Sequence, residues 1–264
     1  MNNIFNVKRF GLLLKKTLLE RPVQTFGVTA LLLTLVFMLY TIAKSLAGFS
    51  AAQNLSFIWG LPGGGFFLAS LVFGYFHSNA IGSSYLTLPA SRFEKWLCGV
   101  LIVGILYPLI FLLFYRIIDS SFVALYHNSL DTASPFYKQQ YEAVYSFNLN
   151  GIIAWKVYPM FFFLTGAMVL GAFYFNKNAF IKTAIALCIV CLGAFGVNWL
   201  LAKLLFGTIN DAFPFDHVAI PVGKEEGSII LPATIQSIFY YGVWYFIPAI
   251  FWLLSLARLG EKEF

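Results

Sequence analysis

Long apolar runs separated by short polar connectors dominate the chain. Six of them are 19 to 22 residues long: 24–43, 55–76, 96–115, 157–175, 183–202 and 237–257. None contains Asp, Glu, Lys, Arg or His. A hydrocarbon core of about 30 Å takes roughly 20 helical residues to cross. Barrel strands would alternate polar and apolar positions over about 10 residues, and these runs do not. In lipid the backbone must satisfy its own hydrogen bonds, so the pattern predicts helices. The expected fold is an all-α integral membrane protein with six transmembrane helices. The expected division is an amphipathic interfacial helix over 1–23 and a six-helix domain over 24–264, with long loops at 116–156 and 203–236.

The leading segment has its own pattern. Val7, Phe10, Leu14 and Leu18 fall on one stripe of a helical wheel, with Lys8, Arg9, Lys15 and Lys16 opposite. That suits a helix lying in the interface plane, its basic side chains reaching headgroups. Pro22 would break it before the first span. It is either a basic anchor or an elbow that helps frame a docking surface.

The connector between spans two and three is short. Ser91 followed by Glu94 forms a capping-box pattern that starts a helix near Arg92. Pro89 biases Leu88 to an extended backbone. Leu86 and Leu88 then stand outside the hydrocarbon, either as a contact surface or as a tuck back into the membrane.

Composition agrees with lipid as the solvent. Of 264 residues, 60% are apolar, 19% aromatic and 11% charged, where a soluble domain is nearer a quarter charged. The charges sort by connector. One set of flanks carries eleven Lys and Arg against four acidic residues; the other carries six against seven. Basic residues stay inside, so both termini are expected in the cytoplasm. The excess serves topology and anionic lipid rather than nucleic acid, which would need a soluble basic face.

Much chemistry is missing from the pattern. No ionisable residue lies mid-span for a proton relay or voltage sensor. Leu61-Pro-Gly-Gly-Gly65 lacks the Lys of a phosphate loop, so the glycines are expected to serve a kink or close helix packing. The chain is expected to hydrolyse no ATP by itself. No cofactor or metal is expected: Cys188-x-x-Cys191 has redox spacing but lies mid-span without partners, and reads as small buried packing. Arg116 and Asp119 read as a surface pair at a helix end.

This arrangement resembles the membrane subunit of bacterial ABC transporters of the type-2 permease (exporter) family. The likeness covers nearly the whole chain. It is closest, in Bacteroidetes-like permeases, over 2–15 (NNIFNVKRFGLLLK) and 85–95 (YLTLPASRFEK). The resemblance implies a bacterial inner-membrane permease that pairs with a second copy, homo- or heterodimeric. A separate ATP-binding subunit would supply power. The elbow would be 5–19. The partner-coupling segment would be 83–95, with Tyr85, Leu86, Leu88, Pro89, Ser91, Arg92 and Glu94. A re-entrant hairpin would fall in 206–236. The uncharged aromatic spans favour a lipid-like, peptide or drug-like cargo. The competing reading is a non-transporting membrane scaffold or sensor-associated subunit.

Overall fold

The computed structural model describes residues 5–20, 22–74, 88–175, 177–207, 209–214, 217–222 and 225–261. The molecule is mostly helical, and five of its helices are long and apolar enough to cross a membrane. Its elements are α1 (Val7–Glu20), α2 (Val28–Val72), α3 (Arg92–Asn128), α4 (Tyr137–Glu142), α5 (Ile152–Tyr174), α6 (Ala179–Phe206) and α7 (Ala233–Glu261). Three strands, β1 (Asp211–Ala212), β2 (His217–Val222) and β3 (Glu225–Ile230), lie between α6 and α7.

The first two apolar runs share one helix, where the sequence suggested two spans with a loop at 44–54. At 1.5 Å per residue the 45 residues of α2 would reach about 68 Å, more than twice a hydrocarbon core. Gly48 interrupts them with φ 83° and ψ −179°, a backbone region open essentially to glycine alone. The two arms lie side by side. A Cβ added at Gly60 would stand 2.8 Å from a Val36 methyl, and these residues are equally far from Gly48. Helix therefore continues to the turn on both sides, and no loop is needed.

The second arm carries the glycines of 61–65 and Pro62, yet stays helical. Gly64 takes the Tyr107 hydroxyl and Gly65 the Phe161 ring, each too close for a side chain. Close packing, not a phosphate loop, is what these glycines provide.

α5 is the central helix. It packs on α2, on α7 and on the start of α6. Two apolar clusters result. One joins Tyr40, Phe57, Phe111, Tyr115, Phe147 and Phe161. The other, at the end where α1 lies, joins Leu13, Phe73, Cys98, Val103, Phe173 and Leu259.

Three expectations need correcting. The third span does not end at 115: α3 runs on to Asn128 through a π-helical turn at Ile102–Leu106, because apolar positions continue through Ile117, Ile118 and Val123. Among the described residues the stretch 206–236 shows no helical hairpin. It holds an antiparallel sheet of order β1-β2-β3, tied to α6 by the Asn198 amide donating to the Ala212 carbonyl at 3.1 Å. Cys188 and Cys191 are exposed rather than buried, because α6 leaves the bundle after its first turns and buries only Ala179, Thr183 and Ala202.

Candidate functional site

The basic end of the molecule is organised by one carboxylate. Ser91 adopts an extended backbone (φ −67°, ψ 158°) and caps α3. Its hydroxyl accepts from the Glu94 amide at 3.1 Å, and its own amide donates to Glu94 Oε2 at 2.8 Å. That is the expected capping box. The same carboxylate also accepts from a distant element. Arg9 Nε donates to Oε2 at 2.7 Å, Arg9 Nη2 donates to Oε1 at 2.8 Å, and the Asn6 amide donates to Oε1 at 2.7 Å. Asn6 caps α1 in turn, its side-chain oxygen accepting from the amides of Lys8 and Arg9. The Glu94 side chain is fully buried, while that of Arg9 is 32% exposed.

This bidentate pair is of the stronger, geometrically specific kind. Both Glu94 and Lys95 precede the apolar run that begins at Trp96. The Arg9 guanidinium, helped by the Ser91 and Asn6 amides, holds the Glu94 carboxyl down at about 2 against desolvation. Burial pushes the Lys95 ammonium below its usual range. Lys95 Nζ donates to the Leu88 carbonyl at 3.0 Å, which fixes the turn around Pro89.

The sequence placed Arg9 among headgroup-reaching cations. The structure turns it inward to Glu94, where pairing offsets the cost of burying that carboxylate. Lys8, Lys15 and Lys16 are exposed as expected. Phe10, Leu14 and Leu18 face the apolar cluster, joined by buried Leu13 and Thr17. Val7 does not join them; it is exposed, one turn beyond the cluster's reach. Leu88 is half-buried against the same cluster rather than free for a partner, whereas Pro89 and Arg92 are exposed. Tyr85 and Leu86 lie outside the described residues. Trp96 joins this end to α7, its indole donating to the buried Ser255 hydroxyl at 2.7 Å.

A second polar knot sits at the opposite end. Arg116 and Asp119 are not a surface pair: Arg116 donates to the Phe147 carbonyl at 3.1 Å. Asp119 is fully buried and accepts from Tyr40 Oη at 2.9 Å, Gln53 Nε2 at 2.8 Å and the Phe147 amide at 2.6 Å. It ties together both arms of α2, α3 and the segment leading into α5. All three donors are neutral, and they fill acceptor positions on both oxygens of the carboxyl group.

Among the described residues no group of three His, Cys, Asp or Glu side chains could hold a metal ion. His127 stacks on Tyr141 at 3.9 Å between ring centres, and its Nε2 lies 2.9 Å from the Val144 carbonyl. No protein-family model, curated protein or solved structure matches the chain.

Proposed function

We propose that the chain is the membrane-spanning permease subunit of an ABC-type exporter in a bacterial inner membrane, paired with a second copy and powered by a separate ATP-binding subunit. On this reading the two arms of α2 are two passes, so the chain crosses six times with both termini in the cytoplasm. The charge split between the two sets of flanks supports that orientation. α1 would lie along the cytoplasmic interface as the elbow.

The observation that carries the reading is the shared carboxylate. Glu94 caps α3 and grips α1 in one hydrogen-bonded cluster, and the exposed Pro89 and Arg92 stand beside it. A push on 88–92 by a cytoplasmic partner would therefore move the interfacial helix and a membrane helix together. Cargo would be apolar, because the long helices offer no charged path.

Co-expression with the ATP-binding subunits of the host membrane, followed by affinity purification of the tagged chain, tests this. The expected result is a stable complex that hydrolyses ATP, while the chain alone turns over none. Arg92→Glu should weaken the complex about tenfold, equal to about 1.4 kcal/mol. Recovery of the chain without any ATP-binding subunit would favour the scaffold reading instead.

A further inference from the structure

α5 and α7 run side by side but do not close along their whole length. They meet tightly at Gly166, where a Cβ would stand 2.9 Å from the Trp252 indole nitrogen. Trp252 Nε1 also donates to the Phe162 carbonyl at 3.2 Å. From there toward the start of α5 the helices part around a cavity of about 410 Å³. That is within the range of about 300–1,000 Å³ occupied by small-molecule pockets.

The walls have a physical cause. α5 contributes Trp155, Pro159 and Phe162; α7 contributes Trp244, Pro248 and Ala249. Each wall holds a proline, which removes an i→i−4 hydrogen bond and crowds the preceding turn. α7 adds a π-helical turn, Gly242–Phe246, just before its proline. Bulky rings above and below hold the helices apart. The lining presents almost no polar atoms, so water has no partners there.

Lys156 follows the lining residue Trp155 in α5 and is exposed, without a hydrogen-bond or ion-pair partner among the described residues. It stands four residues into α5, about 6 Å along the axis, where an ammonium can snorkel to the headgroup layer. An apolar slot with an exposed cation beside one of its walls fits an amphiphile with a negative head.

We infer that the groove between α5 and α7 binds an anionic lipid, its acyl chain lying against Trp155, Trp244 and Ala249 and its headgroup on Lys156. This requires only that α5 and α7 cross a bilayer. It stands whether or not the chain partners an ATPase.

The test uses the full chain reconstituted with equal parts of phosphatidylglycerol and phosphatidylcholine, extracted in mild detergent and weighed by native mass spectrometry. Wild type should retain phosphatidylglycerol in preference to phosphatidylcholine. Ala249→Trp, which fills the slot, should lose the retained lipid with helix content unchanged. Lys156→Gln should keep a lipid but lose an anionic preference of about fivefold. If Ala249→Trp is not recovered folded, Ala249→Leu is read by the same measure. Equal lipid retention by the filled variant would overturn the site. An unchanged preference in Lys156→Gln would overturn the headgroup assignment.

Discussion

Glu94 serves two elements with four hydrogen bonds, so its loss should exceed that of a cap alone. Ser91→Ala removes one cap acceptor, worth about 1 kcal/mol. In detergent that should lower Tm by about 2–4 °C. Glu94→Ala should lower it further and free α1 from the bundle; a smaller loss than Ser91→Ala would show that Arg9 is held by other means. The pH dependence has a definite sign. The folded carboxyl lies at about 2, below its ordinary 4.5, so its contribution is whole above about 4.5 and drains away as pH falls toward 2. Hydrogen exchange of the 10–18 amides in nanodiscs, corrected for intrinsic rate, should show protection falling as pH drops from about 4.5 toward about 2. Unchanged protection would assign α1's docking to Leu13 and its apolar neighbours. At the other knot, Asp119→Asn keeps the shape but puts an amide donor where only acceptors fit. It should cost about 1–3 kcal/mol, read as a fall in Tm. The sequence disclosed half of this chemistry. The Ser91–Glu94 relation is local and visible as spacing, whereas Arg9 meets Glu94 across 85 positions. Asp119 looked like half of a local pair because Arg116 is near in sequence, while its true donors come from three other segments.

At the scale of elements, α2 depends on Gly48. A Cβ there would meet nothing within 4 Å, so Gly48→Ala tests backbone conformation alone. It should destabilise by about 1–3 kcal/mol. Gly64→Ala should also destabilise, but through collision with the Tyr107 hydroxyl, and Tyr107→Phe should rescue it in part. Rescue of Gly48→Ala by Tyr107→Phe would contradict that division. The apolar runs were legible because lipid demands them, but their ends were not. A run of apolar residues shows where a helix can be buried, not where it stops. Hence α3 overran its predicted end, and the loop at 44–54 proved to be helix up to a single glycine. The small sheet left a faint trace: Val218, Ile220 and Val222 alternate, and only two residues, one of them Gly223, separate β2 from β3. Beside spans of 20 apolar residues, a six-residue alternation carries little weight.

For the whole molecule, the charge split makes the two faces distinguishable. In a cysteine-free background, a cysteine at exposed Gln139 in α4 should react with an impermeant maleimide added outside the cell. One at exposed Arg92 should react only after the membrane is opened. The reverse pattern would invert the orientation, and labelling of both from outside would end the six-pass reading. The two polar knots lie at opposite ends of the bundle, one around Glu94 and one around Asp119, with the ring-lined apolar cluster of Phe57 and Phe111 near the second. Sequence patterning located the basic end well, because charge density survives without contacts. At the far end it showed Arg116 and Asp119 only as a local pair, because the other partners, Tyr40, Gln53 and Phe147, are far away in sequence.

The reversal at Gly48 also bears on how the chain is made. On the six-pass reading, with no loop between its arms, the first 70-odd residues present the insertion machinery with a hairpin rather than with two separable helices. The first arm cannot settle across the bilayer and wait, since its far end has no slack to remain outside alone. Only one formal charge, Lys44, rides at the tip, and it travels against the rings of Phe49 and Phe122, 4.5 and 4.8 Å from their centres. On that reading a glycine that looks like a packing detail in the finished molecule sets the expected order of insertion: both arms together, tip first.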